Sequence, residues 1–155
     1  MSDFWLIFIP EEPSFKPSKE QIGVIKSQPW YSDNVAIHVN NIIEFADAGS
    51  NFESVSCPFC GFDLMDWWGS AMDEAYSTEV GFIILDIVTP CCREKTTLHD
   101  LSYDSPQGFY STMIEMQAYL FKGVIQIPQE LHRVAICQEL FKITNMKWRI
   151  INRHI

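Results

Sequence analysis

At 155 residues, with 47% hydrophobic, 20% charged and 14% aromatic side chains, the chain has the size and composition of one folded domain, which excludes disorder as its overall description. No run approaches about 18 uncharged apolar residues, so no membrane span is expected, and the start, MSDFWLIFIPEEP, lacks the basic region of a secretory signal, which points to a cytoplasmic protein. The net charge of −9 is uneven, with ten acids and no Lys or Arg between Ser27 and Cys92; such a stretch repels phosphate, so a nucleic-acid partner is not expected and a basic protein partner suits it better.

Phe4-Trp5-Leu6-Ile7-Phe8-Ile9 is apolar on both faces and predicts a strand buried inside a sheet. Pro10, Pro13 and Pro17 break regular structure. Ser18 and Gln21 then form a capping box, and Ile22 and Ile25 give a short helical face that Pro29 ends. Val35, Ile37 and Val39 alternate with Ala36, His38 and Asn40 in a second strand that continues through Ile43 and Phe45.

The end of the chain repeats this order. Tyr110, Thr112, Ile114, Met116, Ala118 and Leu120 alternate with polar residues, and Pro128 suits the first turn of a helix. Val134, Cys137, Leu140 and Phe141 form one apolar stripe, and Trp148 and Ile150 alternate with Arg149 in a last strand with a mostly basic outer face. Two strand–helix–strand units predict an α+β domain over residues 1–155: a ferredoxin-like four-stranded antiparallel sheet with both helices on one side. Residues 50–108 are then a zinc-ribbon-like insert between the halves.

That insert carries the chemistry. Cys57-Pro58-Phe59-Cys60-Gly61 has the features of a metal knuckle: two thiolates must converge on one tetrahedral ion, and the glycine permits a positive φ. The second pair, in Thr89-Pro90-Cys91-Cys92-Arg93, is irregular. Pro90 and Cys92 align with Pro58 and Cys60, but Thr89 stands where the first cysteine belongs, Arg93 replaces the glycine, and Cys91 comes late. The expected site is a structural Zn2+ on Cys57, Cys60, Cys92 and either Cys91, the first choice, or His99. A metal-free ribbon, a redox pair and a catalytic zinc with an open position are the competing readings. Acidic neighbours such as Asp63 and Asp66 would oppose thiolate reactivity. Cys137, on the last helix's stripe, reads as core packing.

After the knuckle, Trp68, Met72 and Ala75 fall at helical spacing and predict packing against the sheet or ribbon, while Trp67 points elsewhere. Trp67 with Asp66, Asp73 and Glu74 makes a candidate partner-binding face. The histidines His38, His99, His132 and His154 have no nucleophile at a recognisable spacing. Asp100 and Asp104 flank Tyr103 but read as turn caps, so no catalytic residue is assigned. The predicted function is a non-enzymatic protein-interaction module, of the kind that neutralises a basic protein; the alternative is a zinc-dependent hydrolase or transferase using Asp100 or His99 as base.

From Asn51 to Phe109, the run of CPFCG, DWW, MDEA, TPCC, LHDL and YDSPQGF resembles a group of small uncharacterised bacterial proteins with a CPxCG…WW…PCC…DLxYDxPxGF signature. The resemblance implies a bacterial source and a ribbon-like centre, and no activity. Where that group has PCCG, this chain has PCCR.

Overall fold

The computed structural model describes residues 3–117, 119–121, 124–126 and 130–155. In chain order the elements are β1 (Phe4–Pro10), α1 (Lys19–Lys26), β2 (Val35–Ala46), β3 (Val55–Ser56), α2 (Met65–Ala75), β4 (Tyr76–Ser77), β5 (Gly81–Phe82), β6 (Asp86–Val88) and β7 (Lys95–Thr97). A 3-10 turn (Leu98–Asp100) follows, then β8 (Ser102–Tyr103), β9 (Gly108–Gln117), β10 (Tyr119–Phe121), β11 (Val124–Gln126), α3 (Glu130–Thr144) and β12 (Trp148–His154). Ala118 and Pro128, read above as a strand position and a helix start, lie outside the described residues.

Over the described residues the fold is mixed α+β, with three helices and one main sheet of six strands, ordered β12-β1-β9-β2-β5-β4. This corrects the expected sheet of four antiparallel strands. β12, β1, β9 and β2 do pair antiparallel, with Phe8 opposite both Ile150 and Ile114. But β5 joins β2 in parallel through Ile43 and Gly81, and β4 pairs with β5, so the segment expected to stand apart extends the sheet instead. The physical reason lies in β2, whose register shifts between Val39 and Glu44 and whose far half has an edge that β5 covers.

β1 is buried as its sequence predicts. Leu6 and Phe8 face a core shared with Ile25 of α1 and Ile136 and Leu140 of α3, which places both helices on that side. Ile7 and Ile9 face the opposite layer with Met113, Ala46 and Ile151. Full burial of a side chain such as Phe8 contributes about 2–3 kcal/mol. α1 begins with the predicted capping box, Ser18 accepting from the Gln21 N–H and Gln21 from the Ser18 N–H.

Two expectations need correction. On α3 the inward stripe is Ile136, Leu140 and Ile143 with Cys137 at its edge, whereas Val134 and Phe141 are exposed. Apolar and polar residues are interspersed around the helix, so its sequence supports two phases and the sheet selects one. The basic face of β12 is not an outer face either. Arg149 crosses to Glu11 as a two-point ion pair, with Nε–Oε1 at 3.1 Å and Nη2–Oε2 at 2.8 Å, and its Nη1 donates to the carbonyls of His99 and Gln107.

A third apolar cluster fills the segment between β2 and β9: Val55, Cys57, Leu64, Phe82, Leu98 and Phe109 are buried, with Trp67 and Trp68 packed against them. The Trp68 indole donates to Tyr103 Oη, which donates in turn to the Leu98 carbonyl. Among the described residues no helix is long and apolar enough to cross a membrane.

Candidate metal centre

Residues 55–64 and 87–96 form two hairpins of the same build. In the first, Ser56 bridges Asp63; the Cys57 N–H donates to Phe62 O and the Gly61 N–H to Cys57 O, both at 2.9 Å. In the second, Val88 pairs with Lys95; the Thr89 N–H donates to Glu94 O and the Arg93 N–H to Thr89 O, again both at 2.9 Å. Thr89 therefore holds the place of Cys57, Cys92 that of Cys60, and Arg93 that of Gly61. The last two share a left-handed backbone, with φ of 77° at Gly61 and 59° at Arg93. That conformation suits glycine and costs arginine about 1–2 kcal/mol, so the second knuckle keeps its shape against a local penalty.

Cys91 holds the place of Phe59, whose ring is exposed, yet its sulfur turns inward. The Sγ atoms of Cys57, Cys60, Cys91 and Cys92 all lie within 4.8 Å of one another. Individual separations are 3.6 Å for Cys57–Cys92, 3.4 Å for Cys60–Cys91 and 4.0 Å for Cys91–Cys92. A tetrahedral ion with four sulfurs at about 2.3 Å sets S···S edges of about 3.8 Å, whereas a disulfide needs about 2.05 Å. All four cysteines are free thiols, Cys57 buried and Cys60 and Cys92 exposed. The arrangement can hold one metal ion.

Electrostatics fit that use. Burial pushes the Cys57 thiol up, but the Cys60 and Phe59 N–H groups and the thiols of Cys91 and Cys92 together bring it down to about 6. At Cys60 the Phe62 N–H pulls down, but Cys91, burial, Cys57 and Cys92 outweigh it and raise the thiol to about 12. One thiol thus ionises readily while its hydrogen-bonded neighbour holds on to its proton, which a bound cation would displace. Thr89 Oγ1 accepts the Glu94 N–H at 2.9 Å and sits 3.3 Å from Cys92 Sγ, where its proton can go to the sulfur. The residue replacing a cysteine has become a hydrogen-bond partner of one.

Compared with family models, curated proteins and solved structures, the chain matches none.

The structure brings Cys91 into the cluster and leaves His99 out. The His99 ring is buried, its Nδ1 accepts the Phe109 N–H at 2.9 Å, and its Nε2 faces Glu11 Oε2 at 3.8 Å. Asp104 caps backbone, whereas at Asp100 the cap is Thr97, whose Oγ1 accepts the Asp100 N–H at 3.2 Å; among the described residues the two carboxylates are engaged separately. Asp100 accepts from Thr97 Oγ1, and Asp104 takes the Glu53 and Ser105 N–H groups. Burial works against the Asp104 charge, but N–H donors at Ser54, Glu53 and Ser105 hold its carboxyl below the usual range. Trp67 is half-buried against the insert core; Asp66, Asp73 and Glu74 are exposed on α2. Cys137 sits beside the Trp148 carbonyl at 3.8 Å, and burial first, then the Glu11 charge, pushes its thiol up to about 11.

The sequence reading missed the Glu11–Arg149–His99 junction, which ties β1, β12 and the insert together. Gly108 belongs to it, because the His99 ring and the Arg149 guanidinium occupy the space a side chain there would need. The signal in the sequence was the pairing of a lone histidine with a glycine nine residues on, too common to act on.

Proposed function

We propose that the four thiols hold one structural Zn2+ in a ribbon-like insert, and that the protein is a non-enzymatic interaction module for a basic protein, of the neutralising kind. The observation that carries this is the donor set: the Sγ atoms of Cys57, Cys60, Cys91 and Cys92 lie within 4.8 Å of one another, and four such ligands on one tetrahedral ion would leave no position for water or substrate. Thiolate donors at these spacings favour Zn2+ or iron over harder cations. Two hairpins of matching hydrogen bonding, each presenting a knuckle, support the ribbon reading. The antiparallel order β12-β1-β9-β2 with α1 and α3 on one face supports a ferredoxin-like origin for the four long strands, to which β5 and β4 are additions.

The hydrolase or transferase alternative needs an open metal position beside a base, and His99 and Asp100 are engaged elsewhere. The interaction reading draws on charge. The stretch from Ser27 to Cys92 carries ten acids and no Lys or Arg of its own; Asp47 pairs with Arg153, but among the described residues no ion pair engages Asp66, Asp73, Glu74 or Asp86. Complementary charge accelerates association and makes it salt-sensitive. The test is affinity capture from the native cell at low and high salt, with elemental analysis of the bait. The expected result is about one zinc per chain and a basic protein retained at low salt and released at high salt. Metal-free bait, or captured proteins with no basic bias, would contradict the proposal.

A further inference from the structure

Between β5 and β6 the chain exposes Ile83 and Ile84, at 65% and 67% of their surface. In sequence the run Phe82-Ile83-Ile84-Leu85 is indistinguishable from a core strand, yet only Phe82 is buried. Two adjacent isoleucines held in water are unfavourable, and a contiguous apolar patch rimmed by charge marks an interaction surface. The pair stands between two clefts and contributes to the walls of both. One, about 620 Å³, is completed by α2 and β6 and includes Trp67, Tyr76, Val88, Glu74 and Asp86. The other, about 400 Å³, is completed by the turn at residues 11–14 and the 3-10 turn, and includes Glu11, Glu12, Asp86 and Asp100.

Charge decides what the surface fits. Among the described residues neither cleft has a Lys or Arg in its wall. Glu11 is neutralised by Arg149, but Glu12, Glu74, Asp86 and Asp100 meet no cation among the described residues. We propose that the Ile83–Ile84 ridge and its flanking clefts are the docking surface for a protein segment whose apolar side chains are bracketed by Lys or Arg. The ridge enters the partner's apolar patch, the basic side chains reach Glu74 on one flank and Glu12 and Asp100 on the other, and the half-buried Trp67 supplies an aromatic wall. A second copy of this chain fits poorly, since it would set Asp86 and Glu74 against the same acids. The inference rests on the interaction reading above and gives it a location.

The test uses the metal-loaded full chain and a random-peptide phage library as probe, with selected peptides remeasured by fluorescence anisotropy at low and high salt. The variants are Ile83→Ser with Ile84→Ser, both at exposed positions and checked for folding by circular dichroism, Asp86→Lys, and Phe141→Ser on the unrelated apolar face of α3. Selected peptides should combine Lys or Arg with aliphatic or aromatic residues. Their affinity should fall roughly tenfold or more with the paired isoleucine substitution, fall with Asp86→Lys and with salt, and be unchanged by Phe141→Ser. Basic peptides that bind the isoleucine variant normally would overturn the location and leave the interaction reading standing. A library with no basic enrichment would overturn both. Sedimentation showing a dimer that the isoleucine substitutions dissolve would make the occupant a second copy and overturn the basic partner.

Discussion

Gly108→Ala perturbs the junction that joins the body of the sheet to the insert. An added Cβ would lie 2.7 Å from Cε1 and 2.8 Å from Nδ1 of His99, and 2.9 Å from Nη1 of Arg149, where ordinary contact begins at 3.4 Å. Neither neighbour can withdraw cheaply. The His99 ring is buried with its Nδ1 on the Phe109 N–H, and Arg149 is tied to Glu11 and two carbonyls. Overpacking of this kind costs about 1–3 kcal/mol, and losing the buried N–H···Nδ1 bond adds roughly 1–3 kcal/mol, so the expected loss is about 2–6 kcal/mol. In a chain of this length that lowers Tm by roughly 5–20 °C. Gly69, inside α2 with nothing within 4 Å of its Cβ position, is the control; Gly69→Ala should stabilise by about 1 kcal/mol. Urea and thermal unfolding of the metal-loaded proteins measure both. Near-wild-type stability in Gly108→Ala would refute the packing argument, and so would equal losses in the two variants.

Further outcomes follow from the same geometry. Burial, reinforced by the Arg149 charge, holds His99 at about 4 against an ordinary 6.5. Its neutral form therefore contributes stability that is complete above pH 6.5 and lost as pH falls towards 4, about 3 kcal/mol in all; an NMR midpoint near 4 agrees, one near 6.5 does not. Cys91→Ser should abolish stoichiometric metal binding while His99→Ala retains it, read as metal per folded chain; the reverse would reassign the fourth ligand. Thr89→Cys combined with Cys91→Ser moves the ligand to the regular knuckle position and should restore one metal per chain, and failure would show that the two hairpins are not equivalent. A strong chelator should lower the thermal midpoint and expose the insert core to a hydrophobic dye, because metal binding there is folding energy; an unchanged melt would mean the insert stands without metal.

What could be read from the sequence depended on how local the determining physics was. Phe4–Ile9 announced a strand covered on both faces, because its apolar residues alternate in no direction and leave none for water. Ser18 and Gln21 announced a helix start, because the cap is made within four residues. The first knuckle was legible for the same reason. The second was legible only in part: the threonine in a cysteine position is visible by alignment with the first, but Cys91 enters the cluster because its sulfur turns inward where Phe59 turns out. The phase of α3 was not legible, since Val134 and Phe141 compete with Ile136 and Ile143 and only the sheet decides. Arg149 looked like a solvated charge because its partners, Glu11, His99 and Gln107, are far away in sequence. The exposure of Ile83 and Ile84 was not legible either, since nothing local says that the strand stops at Phe82.

The central claim is a closed shell of four thiolates, and X-ray absorption at the zinc edge of protein purified without chelator tests it most directly. Four sulfur neighbours at about 2.3 Å with no lighter atom in the shell is the predicted result. Three sulfurs with an oxygen or nitrogen, or metal-free protein with Cys60 and Cys91 joined in a disulfide, would contradict it.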